Sequence, residues 1–356
     1  MKVIYIIIFT VTILGLNHSY SEGNAICEAY IAFDSIGIIH PNLEFSPDNA
    51  ISMYLVNTAG TPNITQISIT TDDTFADWSS DGLEIAYKST GMTPNVFIYN
   101  VLSDTTTQFL EGNDIFIYNF EWSPDNEKIA YVGTYEIFNT LTDLFIFDID
   151  TQTVENVTSN LEADAHLIKW HPNSSIIALQ TRIQNDNSIY IINIEDNSII
   201  EILANSFSTQ WYEDGRILRF AKEQDDVVSF YAYDMQTGEI QNLGEEARGI
   251  RSFDNQYTAY YQDNLIYTQN LNTGEVEILQ SGLSENYATR FVWSPYSAEI
   301  AFFEPEVDEI ETRDGGYIYI KNLETGEVRN ALGEYILYRA PLGALGWSPC
   351  IEEPES

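Results

Sequence analysis

A sequence unit recurs along this chain at intervals that run from 36 residues (Asp234 to Asn270) to 54 residues (Trp293 to Trp347). Its first half is an apolar strand that ends in Trp, a tight turn, and a second strand such as Ile85-Ala86-Tyr87. Its second half is a strand that ends in Asn or Asp and enters a hairpin, as in Asn322-Leu323-Glu324-Thr325-Gly326-Glu327. Self-similarity at such a period is the signature of a repeat architecture, in which each unit packs against its neighbours.

Both halves of the unit occur seven times. The first strand ends at Trp78, Trp122, Trp170, Trp211, Arg251, Trp293 and Trp347. The later strand ends at Asn57, Asn100, Asp148, Asn193, Asp234, Asn270 and Asn322. Asp, Asn, Pro and Gly follow these strands and suit tight turns and hairpins. Short strands at regular spacing, without longer helical periodicity, predict an all-β fold: a seven-bladed β-propeller of four-stranded antiparallel blades.

The two ends of the repeat region are complementary. Residues 30–33 have the pattern of a second strand with no first strand before it, and residues 345–349 have the pattern of a first strand with none after it. We therefore expect the C-terminal strand to close the ring against the N-terminal blade. The predicted organisation is one propeller over residues 27–350, followed by a short acidic tail at 351–356.

The two cysteines fit this closure. Alignment of the repeats places both Cys27 and Cys350 on the position that Asp81 occupies in the second blade. Two residues equivalent to one turn position become neighbours when the ring closes, so we predict a Cys27–Cys350 disulfide. In the chain-entropy model such a long loop gives at most about 5–6 kcal/mol of stabilisation. The alternative is two unrelated buried thiols.

The N-terminus has the features of a secretory signal over residues 1–21, with an end between 21 and 25. Lys2 precedes an apolar stretch at 3–16, and small and polar residues follow. This stretch is shorter than the roughly 20 apolar residues of a transmembrane helix. A lipoprotein would need acylation of Cys27, and the preceding Asn24-Ala25-Ile26 does not match the usual pattern. We expect a secreted protein, extracellular or periplasmic, whose mature chain does not insert into a membrane.

The formal net charge of −39 at pH 7 excludes one class of partner and disfavours another. Phosphate binding depends on Lys and Arg, so nucleic acid is a very poor partner. Anionic membrane surfaces would repel the chain. Basic partners, cations and a salty environment remain compatible with this charge, and so does a role of the acidic side chains in solubility.

The Trp-Ser-Pro-Asp turn, as in Trp122-Ser123-Pro124-Asp125, together with the downstream Thr-Gly-Glu hairpins, resembles the repeat of the TolB-like, WD-repeat-like propeller family. A similar repeat builds the non-catalytic propeller of prolyl-oligopeptidase-type peptidases. The resemblance covers nearly the whole predicted mature chain and implies an interaction scaffold, often in the bacterial envelope. This chain departs from TolB itself, which has six blades and an extra α/β domain, so TolB's particular role is not implied.

Catalytic and metal motifs are scarce. The Gly-x-Ser-x-Gly elbow of the peptidase relatives does not occur, and four histidines form no recognised ligand spacing. No EF-hand loop occurs, so no cofactor is predicted, and calcium has no motif to support it. The densest acidic segment spans residues 304–314 and could hold a cation or a basic partner, or be a solvated loop. Its candidate binding residues are Glu306, Asp308, Glu309 and Glu311.

The residues next to the repeated Trp form a second candidate site. Four consecutive blades place a polar residue immediately before that Trp, where the innermost strands line the channel: Asp77, Glu121, Lys169 and Gln210. Such residues could bind a ligand or make hydrogen bonds between blades. Arg251 stands where the other repeats have Trp, as a polar contact at the ring centre or as a sign of a weak repeat.

We expect the longest loops between second and third strands, at 36–50, 133–142 and 304–316, to share one face with the blade connections. Long loops on a rigid scaffold commonly carry binding sites. The sequence thus predicts a secreted, non-catalytic monomer that binds a protein or peptide through this loop face. A carbohydrate- or cation-binding propeller is one alternative. A propeller lyase or hydrolase with its active site at the channel mouth is another.

Overall fold

The computed structural model describes the strands and the shorter connections of the chain. The described residues are 29–35, 38–39, 51–58, 61–68, 73–89, 95–109, 116–135, 141–161, 164–183, 186–212, 214–224, 227–245, 249–262, 265–280, 291–305, 315–337 and 345–349. None of these segments is a helix long and apolar enough to cross a membrane.

All regular elements in these residues are β-strands. The first half contains β1 (Tyr30–Ser35), β2 (Ile38–Ile39), β3 (Ser52–Asn57), β4 (Ile64–Gln66), β5 (Asp73–Trp78), β6 (Glu84–Ser89), β7 (Val96–Asn100), β8 (Thr105–Phe109), β9 (Phe116–Trp122), β10 (Lys128–Thr134), β11 (Asp143–Asp148), β12 (Thr153–Asn156), β13 (Asp164–Trp170), β14 (Ile176–Ile183), β15 (Asp186–Asn193) and β16 (Ser198–Ala204). The second half contains β17 (Ser206–Tyr212), β18 (Ile217–Gln224), β19 (Val227–Asp234), β20 (Ile240–Gly244), β21 (Ile250–Arg251), β22 (Tyr257–Gln262), β23 (Leu265–Asn270), β24 (Val276–Gln280), β25 (Phe291–Trp293), β26 (Glu299–Pro305), β27 (Gly316–Asn322), β28 (Val328–Asn330), β29 (Ile336–Leu337) and β30 (Leu345–Trp347).

The strands pair into seven antiparallel sheets, which confirms the seven-bladed propeller. Blade 1 has the order β30-β1-β3-β4, and blades 2 to 6 are the successive sets of four from β5 to β24. Blade 7 is β25 to β28 with two added strands. The predicted Asn or Asp residues end the third strand of every blade, and the predicted Trp positions end the first strand or lie one residue before its end.

First strands of successive blades lie side by side from blade 7 through blade 1 to blade 5, so the first strands are the innermost strands of the ring. The ring therefore has two faces. We call "turn face" the one formed by the turns between first and second strands and the hairpins between third and fourth strands. We call "loop face" the one formed by the connections between second and third strands and between blades.

Ring closure follows the predicted register. β30 pairs with β1 so that Trp347 lies opposite Ile31, as Trp78 lies opposite Ile85 in blade 2. The hydrogen bonds of the turn between first and second strands also form in blade 1, where these two strands come from opposite ends of the chain. The backbone N–H of Tyr30 donates to Ser348 Oγ at 2.8 Å, and the N–H of Ser348 donates to the carbonyl of Tyr30 at 2.8 Å. One blade is thus assembled from both ends of the chain.

A second backbone contact crosses the same junction. β2 comes from the connection after β1 in blade 1, and it pairs with β29 at the outer edge of blade 7. The repeat pattern did not predict this pair because each partner is a single dipeptide, Ile38-Ile39 and Ile336-Leu337. The β30–β1 ladder therefore closes blade 1, and the β2–β29 pair joins that blade to blade 7.

The apolar core lies between the blades. Six clusters of buried side chains each combine two consecutive blades, for example Ala32 of blade 1 with Trp78 of blade 2. Indole nitrogens bond across the same junctions: Nε1 of Trp170, Trp211 and Trp293 each donates to a carbonyl of the preceding blade's first strand at 2.9 to 3.1 Å. Each blade thus depends on its neighbours for both burial and hydrogen bonding.

The hydrogen bonds of the turns define the position that we expect Cys27 and Cys350 to share, although both cysteines lie outside the described residues. In three turns the Ser after the first strand donates from Oγ to an Asp two residues later, as Ser79 does to Asp81 at 2.7 Å. Counting from Ser348 and from Tyr30 assigns Cys350 and Cys27 to that Asp position.

We expect non-reducing peptide mapping of the exported protein to recover a linked Cys27–Cys350 peptide. We also expect a Cys27→Ser/Cys350→Ser variant to melt at a lower temperature.

Alkylation of both thiols without reduction would contradict the bridge, as would a lipid mass on Cys27. A reduced wild-type sample is the matched control for the serine variant, because both lack the covalent link while only the variant changes the side chains.

Candidate functional site

The predicted polar residues of the inner strands lie on consecutive blades. Asp77 and Glu121 are buried, and each accepts a hydrogen bond from the next blade. Asp77 Oδ2 accepts from the backbone N–H of Trp122 at 2.7 Å, and Glu121 Oε2 accepts from that of Trp170 at 2.9 Å. Their carboxylates therefore join first strands that share no β-ladder.

Lys169 and Gln210 continue this row. Lys169 Nζ donates to Glu121 Oε1 at 2.8 Å, so blades 3 and 4 share an ion pair in addition to the backbone contact. Gln210 Oε1 accepts a short hydrogen bond from the Tyr212 hydroxyl. Each of the four predicted residues thus has a partner within the ring.

Asp77 has the most perturbed carboxyl in the described inner ring. Burial raises its pKa to about 8, and the negative charge of Glu121 acts in the same direction. The N–H of Trp122 and the charge of Lys169 oppose this rise only in part. Asp77 is therefore protonated near neutral pH, and the charged pair in this part of the channel is Glu121 with Lys169.

Arg251 makes polar contacts at the junction between blades 5 and 6. Its guanidinium carbon lies 5.5 Å from the centroid of the Tyr212 ring, and that of Arg219 lies 5.2 Å from the same ring. The Tyr212 hydroxyl also accepts from the backbone N–H of Arg251 and from the Arg219 side chain. Burial raises the pKa of Tyr212 despite the two arginines, so its hydroxyl stays protonated.

The predicted acidic segment at 304–314 is described only at Glu304 and Pro305. Glu306, Asp308, Glu309 and Glu311 all lie outside the described residues. In the part of the chain that the structure describes, no three His, Cys, Asp or Glu side chains come together as a metal site would require.

His171 links the turns of blades 4 and 5. Its Nδ1 accepts from the N–H of Asn173 at 3.0 Å, so Nε2 carries the proton and donates to the carbonyl of Gly215 at 3.0 Å. The imidazole lies edge-on against Trp211, with centroids 4.8 Å apart. Burial lowers the pKa of His171, which keeps the ring neutral. This residue is a structural part of the turn face.

The loop face of blade 3 exposes three large apolar side chains that the sequence analysis did not single out. Tyr118, Tyr135 and Leu141 are 48%, 59% and 51% exposed. Tyr118 lies at a β-bulge in the first strand, and Tyr135 and Leu141 flank the connection between the second and third strands. Tyr135 rests edge-on against the buried Phe145 at 5.4 Å. We call these three residues the blade 3 patch.

Comparison with protein families matches residues 105–312 to the TolB β-propeller domain, which is more than half of the chain. Among curated proteins, dipeptidyl-peptidase 5 of Porphyromonas gingivalis is 28% identical over 138 residues. That match covers 35% of this chain and 20% of the peptidase. The matched region therefore corresponds to about a fifth of that relative's length.

Among solved structures, TolB from Acinetobacter baumannii superimposes with a TM-score of 0.50 at 16% identity, over 90% of this chain and 83% of TolB. Oligogalacturonate lyase from Vibrio parahaemolyticus gives a TM-score of 0.56 at 13% identity, over 83% and 86% of the two chains. At these identities the similarity concerns the fold. The two proteins use it differently, so fold alone does not separate a scaffold from an enzyme.

Substitution Asp77→Asn tests the buried, protonated carboxyl. The folded state holds this proton more tightly than the unfolded chain, whose Asp pKa is 3.8, so this group's contribution to the free energy of unfolding falls as pH rises from about 4 to about 8. Asparagine keeps an acceptor for Trp122 and cannot ionise. We expect the melting temperature of the variant minus that of wild type to increase steadily between pH 5 and pH 8.

The control for this series is Asp150→Asn, which removes one charge from an exposed turn. Its melting curve should stay parallel to wild type across the same pH range. A parallel curve for Asp77→Asn would show that Asp77 is already ionised at low pH.

Substitution Gly215→Ala tests the contact between blades 4 and 5. Gly215 has a φ of +91°, and an added Cβ would lie 2.0 Å from Nε2 of His171. We expect a loss of about 1–3 kcal/mol in the free energy of unfolding, measured by urea denaturation. Gly274→Ala is matched for positive φ (+77°) and meets no atom within 4 Å, so it should cost clearly less. Equal losses in both variants would contradict the role of the His171 contact.

Proposed function

The chain belongs to the TolB β-propeller domain family, and from this premise we propose that it is an exported, non-catalytic scaffold that binds a protein partner through its loop face. The observation that carries the proposal is the blade 3 patch. Three large apolar side chains of one blade are exposed toward the loop-face ends of its strands, and two of them flank a long connection. Exposed aromatic and aliphatic clusters of this kind are typical of protein–protein contacts.

The chemistry of the inner ring supports the non-catalytic part of the proposal. Asp77 and Glu121 use side-chain carboxyl oxygens to accept hydrogen bonds from the backbone of the next blade, and Lys169 is paired with Glu121. A general acid or base must be able to reach a substrate proton. These groups instead form hydrogen bonds and an ion pair between neighbouring blades.

The net charge defines the class of partner. At −39, long-range attraction favours a basic protein and speeds its association, while apolar contact supplies stability once the surfaces meet. The expected partner surface is therefore an apolar or aromatic residue surrounded by Lys and Arg. Because steering by solvent-exposed charges is screened by ions, its association rate should fall as salt is added.

Export to the periplasm or beyond agrees with this partner class and with the signal-like N-terminus. Residues 1–28 lie outside the described part, so the signal rests on the sequence pattern alone. N-terminal sequencing of the mature protein tests it directly. We expect mature chains to begin after residue 21 or a few residues later.

A variant of the blade 3 patch tests the proposed function. The partner is first captured on the immobilised protein from the envelope or secreted fraction of the producing organism and then purified. We expect Tyr135→Ser/Leu141→Ser to raise the dissociation constant for the purified partner by at least about tenfold, since aromatic and aliphatic residues at such contacts contribute most of the binding energy. Titration calorimetry or surface plasmon resonance gives the value.

Leu102→Ser is the matched control. Leu102 is 66% exposed, so the change also removes a large exposed apolar side chain, but this side chain lies in a hairpin of the turn face. Its dissociation constant should stay within about twofold of wild type. Unchanged binding by the patch variant would refute the proposed interface. Turnover of a peptide or a uronate polymer by the purified chain would refute the non-catalytic assignment.

A further inference from the structure

The fourth strand of each blade lies on the circumference of the ring, because the first strands are innermost. Its outer edge carries backbone N–H and C=O groups that a strand of another chain can pair with. Natural proteins block such pairing with very short edge strands, with charged side chains or with β-bulges. The seven fourth strands of this ring can be compared for these features.

Six of the seven fourth strands, all of which lie in the described residues, carry at least one blocking feature. β4 and β28 are three residues long. β16, β20 and β24 each contain a β-bulge in the ladder with the third strand. β12 is four residues long and contains Glu155. These edges are therefore poor templates for an added strand.

The fourth strand of blade 2, β8, carries none of these features. It has five residues, Thr105–Phe109, and pairs with β7 in an unbroken register. It has no charged side chain, although the chain contains 54 Asp and Glu residues. Three of its residues are threonine, which is β-branched and favours strands. Within the described residues no strand pairs with its outer edge, and Thr105, Thr107 and Gln108 are exposed.

The lack of charge favours one kind of occupant for this edge. A basic partner, of the class that the net charge attracts, would find no carboxylate on β8 with which to form an ion pair. A second copy of the same uncharged strand matches it. The longest fourth strand, β16, shows the contrast, because antiparallel pairing of two copies about its central residue would place Glu201 opposite Glu201. Like charges directly opposite each other are destabilising.

Antiparallel pairing of two β8 strands about their central residue has a favourable pattern. Thr107 lies opposite Thr107 of the second copy, Thr106 opposite Gln108, and Thr105 opposite Phe109. Directly opposite threonines stabilise a sheet through hydrogen bonds and packing. Each added pair of residues also brings the backbone groups of both edges into a ladder. The strand is thus complementary to itself.

We propose that the edge of β8 pairs with β8 of a second copy of this chain, so that two blade 2 sheets become one continuous sheet across a two-fold axis at Thr107. The interface is isologous and closes at a dimer, because each chain has one such edge. This dimer would replace the monomer that the sequence analysis predicts. The proposal does not depend on the loop-face interface, which is formed by other residues.

Sedimentation velocity of the full mature chain tests the dimer. Five paired residues on each side bury less than the ~1,600 Å² of a standard interface, so we expect weak association that appears as concentration rises over about a hundredfold range. Both copies are strongly acidic, so the dimer fraction should increase between ~0.05 M and ~0.5 M sodium chloride as repulsion is screened. Attraction of a basic partner to the loop face has the opposite salt dependence.

Two variants at the axis assign the interface. Thr107→Lys and Thr107→Glu each place like charges opposite each other, so each should weaken dimerisation by at least about threefold. An equimolar mixture of the two variants places Lys opposite Glu and should restore dimerisation to the wild-type level or above. Only pairing of position 107 with itself gives this rescue.

Gln241→Lys is the matched control, since it adds one positive charge to an exposed position of another fourth strand, β20. It should dimerise as the wild type does. Melting temperatures of the dilute variants establish that each one folds, and the glutamate variant keeps the test valid if the lysine variant does not. A mixture that fails to dimerise would overturn the proposal. A wild-type chain that stays monomeric at every concentration and salt would also overturn it and would leave the edge to a different partner.

Discussion

The packing of one indole against the preceding blade is the interaction on which the ring depends. At six junctions a Trp at or next to the end of the innermost strand fills the space above an alanine of its neighbour. Where Asp77 or Glu121 precedes the Trp, its carboxylate also binds the next backbone N–H. No blade can bury its faces alone, so stability is a sum of nearest-neighbour terms, as in other repeat proteins. An open array of this kind would leave two unburied ends.

Closure removes those ends, and the structure joins them twice. The β30–β1 ladder completes blade 1, and the β2–β29 pair connects the same blade to the edge of blade 7. The Ser348 turn repeats the hydrogen bonds of Ser79 across the chain break, so the closing blade differs from the others in covalent connection and not in its hydrogen-bonding pattern. Such a junction is the place where a covalent link between Cys27 and Cys350 would restrict the unfolded chain most, since it would close the longest loop.

The fold could be predicted from the sequence because its turns require particular residue types at fixed positions. The hydrogen bond from Ser79 to Asp81 is repeated in the turns of blades 3 and 6, and Gly238 adopts a positive φ in its hairpin, so these residue types recur at fixed spacing. The β2–β29 pair has no such signal. The sequence also does not predict the blade 3 patch. Its pattern places Tyr118 in a strand as a core residue, and only the β-bulge in the structure explains why this side chain is exposed. Arg251 stands out in the sequence as an exception to the repeated Trp. Its surroundings also depend on Arg219, which lies in another blade and is recognised only when the second strands are aligned.

The negative charge of the chain acts differently at its surface and inside the ring. Charges on solvated surfaces are screened beyond about 8 Å at physiological ionic strength. Inside the ring Asp77 is protonated and Glu121 is paired with Lys169, so that part of the channel is close to neutral. At the junction between blades 5 and 6, Arg219 and Arg251 add two positive groups at short range. A large partner that approaches from solution therefore meets the summed negative charge of the surface, and the charges inside the ring contribute little to its attraction.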